Sequence, residues 1–353
     1  MLSYGASTKI FRLGNLKSAR DKESQNIVTK AIEYITFVLF VIIHRVRDRP
    51  HVLYAYDRYG LIPVFIASHV GKKIPVIYHI LDLPEQNIRT ISLSLLECME
   101  MISIRYAEKI VVSDINRARY IKELRKLDTQ PMVVMNAPRI QRNRPESVLY
   151  NVIKNAGVRM DSDTKVVLFQ GSINASYSIL EIVQSMSLWP CGSILVLLGS
   201  VDAAFQSEIN NVAASSHQQD RLAFIPYVPY SELLKYTAGA YIGLALIKPI
   251  NMNRAFNAGA SNKIFEYLSL GIPALVTDSL YFRDVLDAKA VYFVNTTSAE
   301  TIGKAIREAL AASPEEYRSK SIAARNEHMS IFNYETQFKP LHDHLTKTTH
   351  AFT

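Results

Sequence analysis

From VLYAY at 52–56 to AVYFV at 290–294, short runs of β-branched and aromatic residues recur along the chain, most of them separated by stretches with helical spacing. Such alternation leaves few folds open. Strands joined through helices must run parallel, and parallel sheets carry helices on both faces. The first series comprises VLYAY (52–56), PVIYHI (75–80), KIVVS (109–113) and PMVVM (131–135), with helices expected near 60–70, 89–107 and 115–127. The polar, proline-marked stretch NAPRIQRNRPE, 136–146, reads as a linker. A second series follows: KVVLFQ (165–170), SILVLLG (193–199), RLAFI (221–225), AYIGLALI (240–247), PALVT (273–277) and AVYFV, then helices near 298–312, 315–329 and 335–346. With 353 residues, two domains of ordinary size are expected. The fold class is α/β, with two Rossmann-like, doubly wound domains facing a cleft. An amino domain over 1–138, a linker at 139–147, a carboxyl domain over 148–330 and a terminal helix and tail over 331–353 follow from these boundaries.

Within the second series, SNKIFEYLSLGIPALVT at 261–277 is the most informative stretch. Ser261 suits an N-cap, Ile264, Tyr267 and Leu268 recur at helical spacing, Gly271 suits a left-handed helix end, and Pro273 prevents continuation. Lys263 therefore falls in a first turn whose unpaired N–H groups already attract anions. Either its side chain turns into water, or an anion occupies that end. Lys263 and Glu266, three apart, share a helix face, while Ile264 and Leu268 turn inward. They form either an ordinary surface pair or a place for a phosphate, with a carboxylate one turn deeper for two ribose hydroxyls. The strand–loop–helix–strand order puts this helix end at the carboxyl edge of a parallel sheet, where open α/β sheets bind ligands.

Charge is unevenly placed. Residues 1–140 carry 21 Lys and Arg against 13 Asp and Glu, whereas residues 141–353 carry 19 of each, so the amino half holds the whole excess of +8. That half either presents a solvated basic surface or faces an anionic partner such as a membrane leaflet or a lipid-linked phosphate. The apolar run AIEYITFVLFVII, 31–43, is too short to span a bilayer and contains Glu33, so a buried core helix is expected, with Arg45, Arg47 and Arg49 at its end suited to a membrane surface. The first 30 residues show no signal-peptide pattern, and two distant cysteines, Cys98 and Cys191, point to a reduced, cytoplasmic setting.

SNKIFEYLSLGIP resembles the "NK-hydrophobic-x-EY-x-x-x-G-x-P" segment of GT-B glycosyltransferases, particularly glycosyltransferase family four. HVLYAYDRYG (51–60), PVIYHILDLPE (75–85), AEKIVVSD (107–114), VVMNAP (133–138), VVLFQGSI (166–173), VTDSLYFRDVL (276–286) and FNYE (332–335) fall in the family's order, from TKIFRLGN at 8–15 onward. The resemblance implies transfer of a sugar from a nucleotide donor held by the carboxyl domain to an acceptor held by the amino domain, with retention and without a bound metal or cofactor. It places Glu266 on the donor ribose, with Lys263, Ser261 and Asn262 of the helix end, and Gly171 and Ser172 of the loop after the first strand of the carboxyl domain, at the diphosphate.

Three departures stand out. Ala258 occupies the position of a glutamate found eight before the ribose ligand in many members. The arginine and lysine that usually follow the first strand of this domain align near Ser172 and Tyr177, leaving Lys263, with Lys248 or Arg254 as substitutes. The opening strand, glycine-rich turn, helix and second strand of the family have no counterpart, so the amino domain reads as incomplete, to be completed upstream, by a second chain, or by a different fold.

In the amino half, Asp82 and His79 lie at or just after a strand candidate and are the candidates for receiving or orienting an acceptor hydroxyl; a structural role for His79 stands beside that reading. Asp57 ends another strand. Asp161 and Asp163 form a D-x-D, but in RMDSDTKVVLF they read as a polar turn, and no metal is assigned. The expected partners are a nucleotide-sugar donor, a saccharide or lipid-linked acceptor of surface polysaccharide or glycolipid assembly, and an anionic membrane surface, without nucleic acid. A noncatalytic glycosyltransferase-like subunit and a nucleotide-sugar epimerase are the competing readings.

Overall fold

The computed structural model describes residues 27–84 and 91–350. TKIFRLGN lies outside them. Contacts divide the chain into two units, one drawn from Met1–Val112, Ile121–Met132 and Leu341–Thr353, the other from Ser113–Tyr120 and Val133–Pro340.

The first unit holds a four-stranded sheet in the order β1 (Leu53–Tyr56), β2 (Val76–Ile80), β3 (Lys109–Val112), β4 (Met132–Val133). β1, β2 and β3 pair in parallel, with Tyr56 opposite His79 and His79 opposite Val111. Every residue of β2 is buried, His79 included, which is why its sequence shows no apolar–polar alternation. Beneath it, the Tyr78 hydroxyl donates to Glu100 at 2.6 Å and Arg125 pairs with the same carboxylate at 2.7 Å, so the buried charges neutralise one another.

The run at 31–43 belongs to a longer helix, Ile27–Asp48, which packs on the helix Asp57–Ser68. The expectation of a buried core helix needs correction. Val41 is buried, but Ile32, Ile35, Leu39, Ile43 and Val46 are each more than half exposed among the described residues. A helix apolar all round needs cover on every side, and here one side has it. Arg45 is not at a surface either, since its guanidinium donates to Lys72 O at 2.7 Å, whereas Arg47 and Arg49 are exposed. No helix among the described residues is long and apolar enough to cross a membrane.

The second unit holds a six-stranded, all-parallel sheet built from β5 (Lys165–Gln170), β6 (Ser193–Leu198), β7 (Leu222–Ile225), β8 (Ile242–Ala245), β9 (Ala274–Thr277) and β10 (Val291–Val294). Their order is β10-β9-β8-β5-β6-β7. Read from β7, that is the doubly wound order in which the chain reverses direction across the sheet between β5 and β8. Alternation along β5 feeds two cores. Val166 and Leu168 meet Phe265 and Leu268 on one face, while Val167 and Phe169 meet Ile179, Ile182 and Ile302 on the other.

Candidate nucleotide-binding site at the strand switch point

β5 and β8 pair only from Val167 opposite Ile242 to Phe169 opposite Leu244, and then part. A strand that loses its neighbour leaves backbone groups to satisfy. The helix Asn262–Ser269 supplies the partner: the Tyr267 hydroxyl accepts from Gln170 N at 3.2 Å and donates to Leu168 O at 3.0 Å. The Tyr267 ring lies flat against β8 because residue 243 is glycine; a Cβ there would stand 2.3 Å from the ring. The helix is thus fastened to the switch point.

Ser261 occupies the N-cap as expected, but its side chain makes no capping hydrogen bond to the first-turn N–H groups. Lys263 does not turn into water. It is 7% exposed, and its Nζ has no hydrogen-bond partner among the described residues. The ammonium rests on two aromatic faces, 3.6 Å from the Tyr177 ring centroid and 4.0 Å from that of Phe169. Gly171, directly after β5, has φ +116° and closes over it; a Cβ there would lie 3.6 Å from Nζ. Burial holds the Lys263 ammonium well below its usual pKa, against the pull of the Glu266 carboxylate, and the Arg254 charge lowers it further.

Glu266 is 4% exposed and is no surface partner of Lys263. Its carboxylate accepts from Gln170 Nε2 at 2.6 Å, and Gln170 Oε1 in turn accepts from the Thr237 hydroxyl at 2.8 Å. Burial raises the Glu266 pKa, opposed by the Gln170 hydrogen bond and by Lys263. The structure therefore brings Gly171, Lys263 and Glu266 together at one sheet edge. Ser172 is exposed beside them, its hydroxyl accepting from Asn174 at 3.1 Å, and Asn262 is exposed at the helix start.

Of the two substitute cations, Lys248 is neutralised by Glu181 at 2.6 Å. Arg254 instead donates to the Tyr177 hydroxyl at 3.2 Å. Its short helix, Met252–Ala255, is capped by Asn251 and held from below by buried Arg117, which donates to Phe256 O at 2.8 Å and Asn253 O at 3.0 Å. Gln170, Tyr177 and Tyr267 escaped the sequence-based site. One signal was available for Gln170: a neutral polar residue ending an otherwise apolar run just before a glycine.

In the first unit, His79 is buried at the end of β2, and its Nδ1 shares a 2.9 Å hydrogen bond with the Tyr54 hydroxyl. Burial lowers its pKa to about 4. Asp57, with φ 51°, accepts Leu81 N–H at 2.8 Å and Asp82 N–H at 3.4 Å, so it ties the loop after β2 to the end of β1. Asp82 is exposed on that loop. Asp161 and Asp163 lie in a turn closed by Thr164 N–H to Asp161 O, and no group of three or more potential metal ligands occurs among the described residues.

No protein-family model and no curated protein matches the sequence. Solved structures do match the fold. HepE from Anabaena, in complex with UDP and glucose, superimposes with a TM-score of 0.69 at 13% identity over 88% of this chain and 82% of that one. Sucrose-phosphate synthase from Thermosynechococcus elongatus gives 0.71 at 15% identity over 91% and 79%. A glycosyltransferase from Rickettsia africae gives 0.72 at 13% identity over 92% and 83%. The fold is that of GT-B glycosyltransferases. At such identities the likeness carries fold alone, so the chemistry has to be argued from the site.

Proposed function

We propose that this protein is a glycosyltransferase that binds a nucleotide-sugar donor at the β5–β8 edge and moves the sugar to a saccharide or lipid-linked acceptor, with retention and without a metal. The observation that carries the reading is the buried, unpartnered Lys263 ammonium at an uncapped helix start, one turn from a buried carboxylate. A cation so placed has no hydrogen-bond partner among the described residues, and a diphosphate supplies one. In this reading Glu266, oriented by Gln170, receives the ribose hydroxyls. Lys263, Gly171, Ser172, Ser261 and Asn262 surround the diphosphate and stabilise the charge that develops on it as the glycosidic bond breaks. That HepE, which shares the fold, was solved with UDP supports a nucleotide ligand.

On the acceptor side, exposed Asp82 is the group placed to orient a hydroxyl. His79, held neutral by burial, is the second candidate and a weak base in its own right. The exposed apolar row of the helix Ile27–Asp48, with Arg47 and Arg49 at its end, fits peripheral attachment to the anionic inner leaflet, where a lipid-linked acceptor of surface polysaccharide or glycolipid assembly would be found.

A thermal-shift panel of UDP, GDP, ADP and their sugars tests the donor site. A ligand at a hundred times its Kd stabilises by about 2.7 kcal/mol, a rise of several degrees, and Lys263→Met should abolish the shift. No shift with any nucleotide would overturn the reading. A noncatalytic glycosyltransferase-like subunit is the second reading, favoured by Ser172 and Tyr177 falling near the positions where the family it resembles usually carries an arginine and a lysine. It predicts nucleotide binding or none, with neither donor hydrolysis nor transfer.

A further inference from the structure

Tyr177 has two cations on it. The Lys263 ammonium stands 3.6 Å from its ring centroid and the Arg254 guanidinium carbon 5.3 Å from the same point, with the guanidinium also donating to the Tyr177 hydroxyl. No carboxylate pairs with either among the described residues. Lys248, the remaining cation of the same loop, is matched with Glu181 and contributes no free charge. Bringing two cations, neither in a salt bridge, to one ring is unfavourable in a site where Lys263 is almost fully enclosed, because low-dielectric surroundings strengthen like-charge repulsion. The surrounding scaffold nevertheless enforces the arrangement. Asn251 caps the Arg254 turn, Arg117 holds Phe256 O and Asn253 O, and Asp114 accepts Gly259 N–H at 2.7 Å.

Resting on the donor reading above, we propose that Arg254, positioned by Tyr177, is the second cation that binds the pyrophosphate of the donor beside Lys263. A planar guanidinium presents paired N–H donors to phosphate oxygens, and a group carrying two or more negative charges neutralises both residues at once. Tyr177 thus holds an arginine from another loop at the side of Lys263.

The test compares UDP, GDP and ADP with uridine, guanosine and adenosine on the full chain, by calorimetry and saturation-transfer NMR, in wild type, Arg254→Gln, Arg254→Lys and Tyr177→Phe. Arg254→Gln should weaken the bound nucleoside diphosphate about tenfold or more and flatten its salt dependence, leaving the matching nucleoside unchanged. Arg254→Lys should recover part of the loss, and Tyr177→Phe, which keeps the ring, should lose less than Arg254→Gln. Equal loss for diphosphate and nucleoside would mean that Arg254 only shapes the loop, and would overturn the proposal. Undiminished diphosphate binding by Arg254→Gln would overturn it too while the donor site stands. Failure of the wild-type protein to bind any of the three diphosphates would remove the donor site and Arg254 together.

Discussion

His79 shows how burial alone changes what a residue can do. Its ring is packed between β1 and β3 neighbours, Tyr54 shares its Nδ1, and the Tyr56 ring lies 5.3 Å away, so the charged form finds no solvation. The folded pKa of about 4 lies below the unfolded value near 6.5. Between those values the unfolded chain binds the extra proton, so stability falls as pH drops through that window and is fully present above it. Denaturant melts at pH 7 and pH 4.5 should show wild type losing a few kcal/mol more than His79→Leu between the two conditions. Equal losses in the two proteins would show that the histidine is not held neutral.

At the scale of elements, the contact that builds the site is the helix Asn262–Ser269 on β8 and β5. Two features make it possible: Gly243, which lets a tyrosine ring approach the strand, and the Tyr267 hydroxyl, which completes the hydrogen bonding of diverging strands. A methyl at 243 must push the ring away, and the ring is pinned by its hydroxyl. Gly243→Ala is therefore expected to destabilise the second unit by about 1–3 kcal/mol, as overpacked cores do. It should weaken nucleotide binding as well, because Lys263 and Glu266 ride on the displaced helix. Gly192→Ala is the control, since nothing lies within 4 Å of the added carbon, and it should change stability by less than about 0.5 kcal/mol. Differential scanning calorimetry of the two variants decides the matter, and comparable melting would remove the close approach as a constraint.

At the scale of the whole molecule, two parallel-sheet units were legible in the sequence because burial on both faces imposes apolar runs, and chain order then imposes parallel pairing. Ten runs were read as strands, and the structure keeps each of them, trimmed by one to four residues except at 165–170. The helix Ile27–Asp48 was not fully legible, because an apolar segment records what a helix is able to bury and not whether something covers it. Its exposed row gives the last prediction. Full-length protein should sediment with anionic vesicles at low salt and much less with neutral ones, and Leu39→Glu combined with Ile43→Glu should reduce the bound fraction about tenfold or more. Equal sedimentation of variant and wild type would place the apolar row against protein instead. Sequence by itself determined the strands, the helix that follows Ser261 and the presence of Lys263 and Glu266 on it, since these depend on local periodicity and end signals. Only tertiary structure decided that Lys263 is buried with no hydrogen-bond partner among the described residues, that Gln170 orients Glu266, that Lys248 is neutralised and that Arg254 shares a ring with Lys263. Those are distances between residues far apart in the chain, and the spacing of residues along one strand or helix does not encode them.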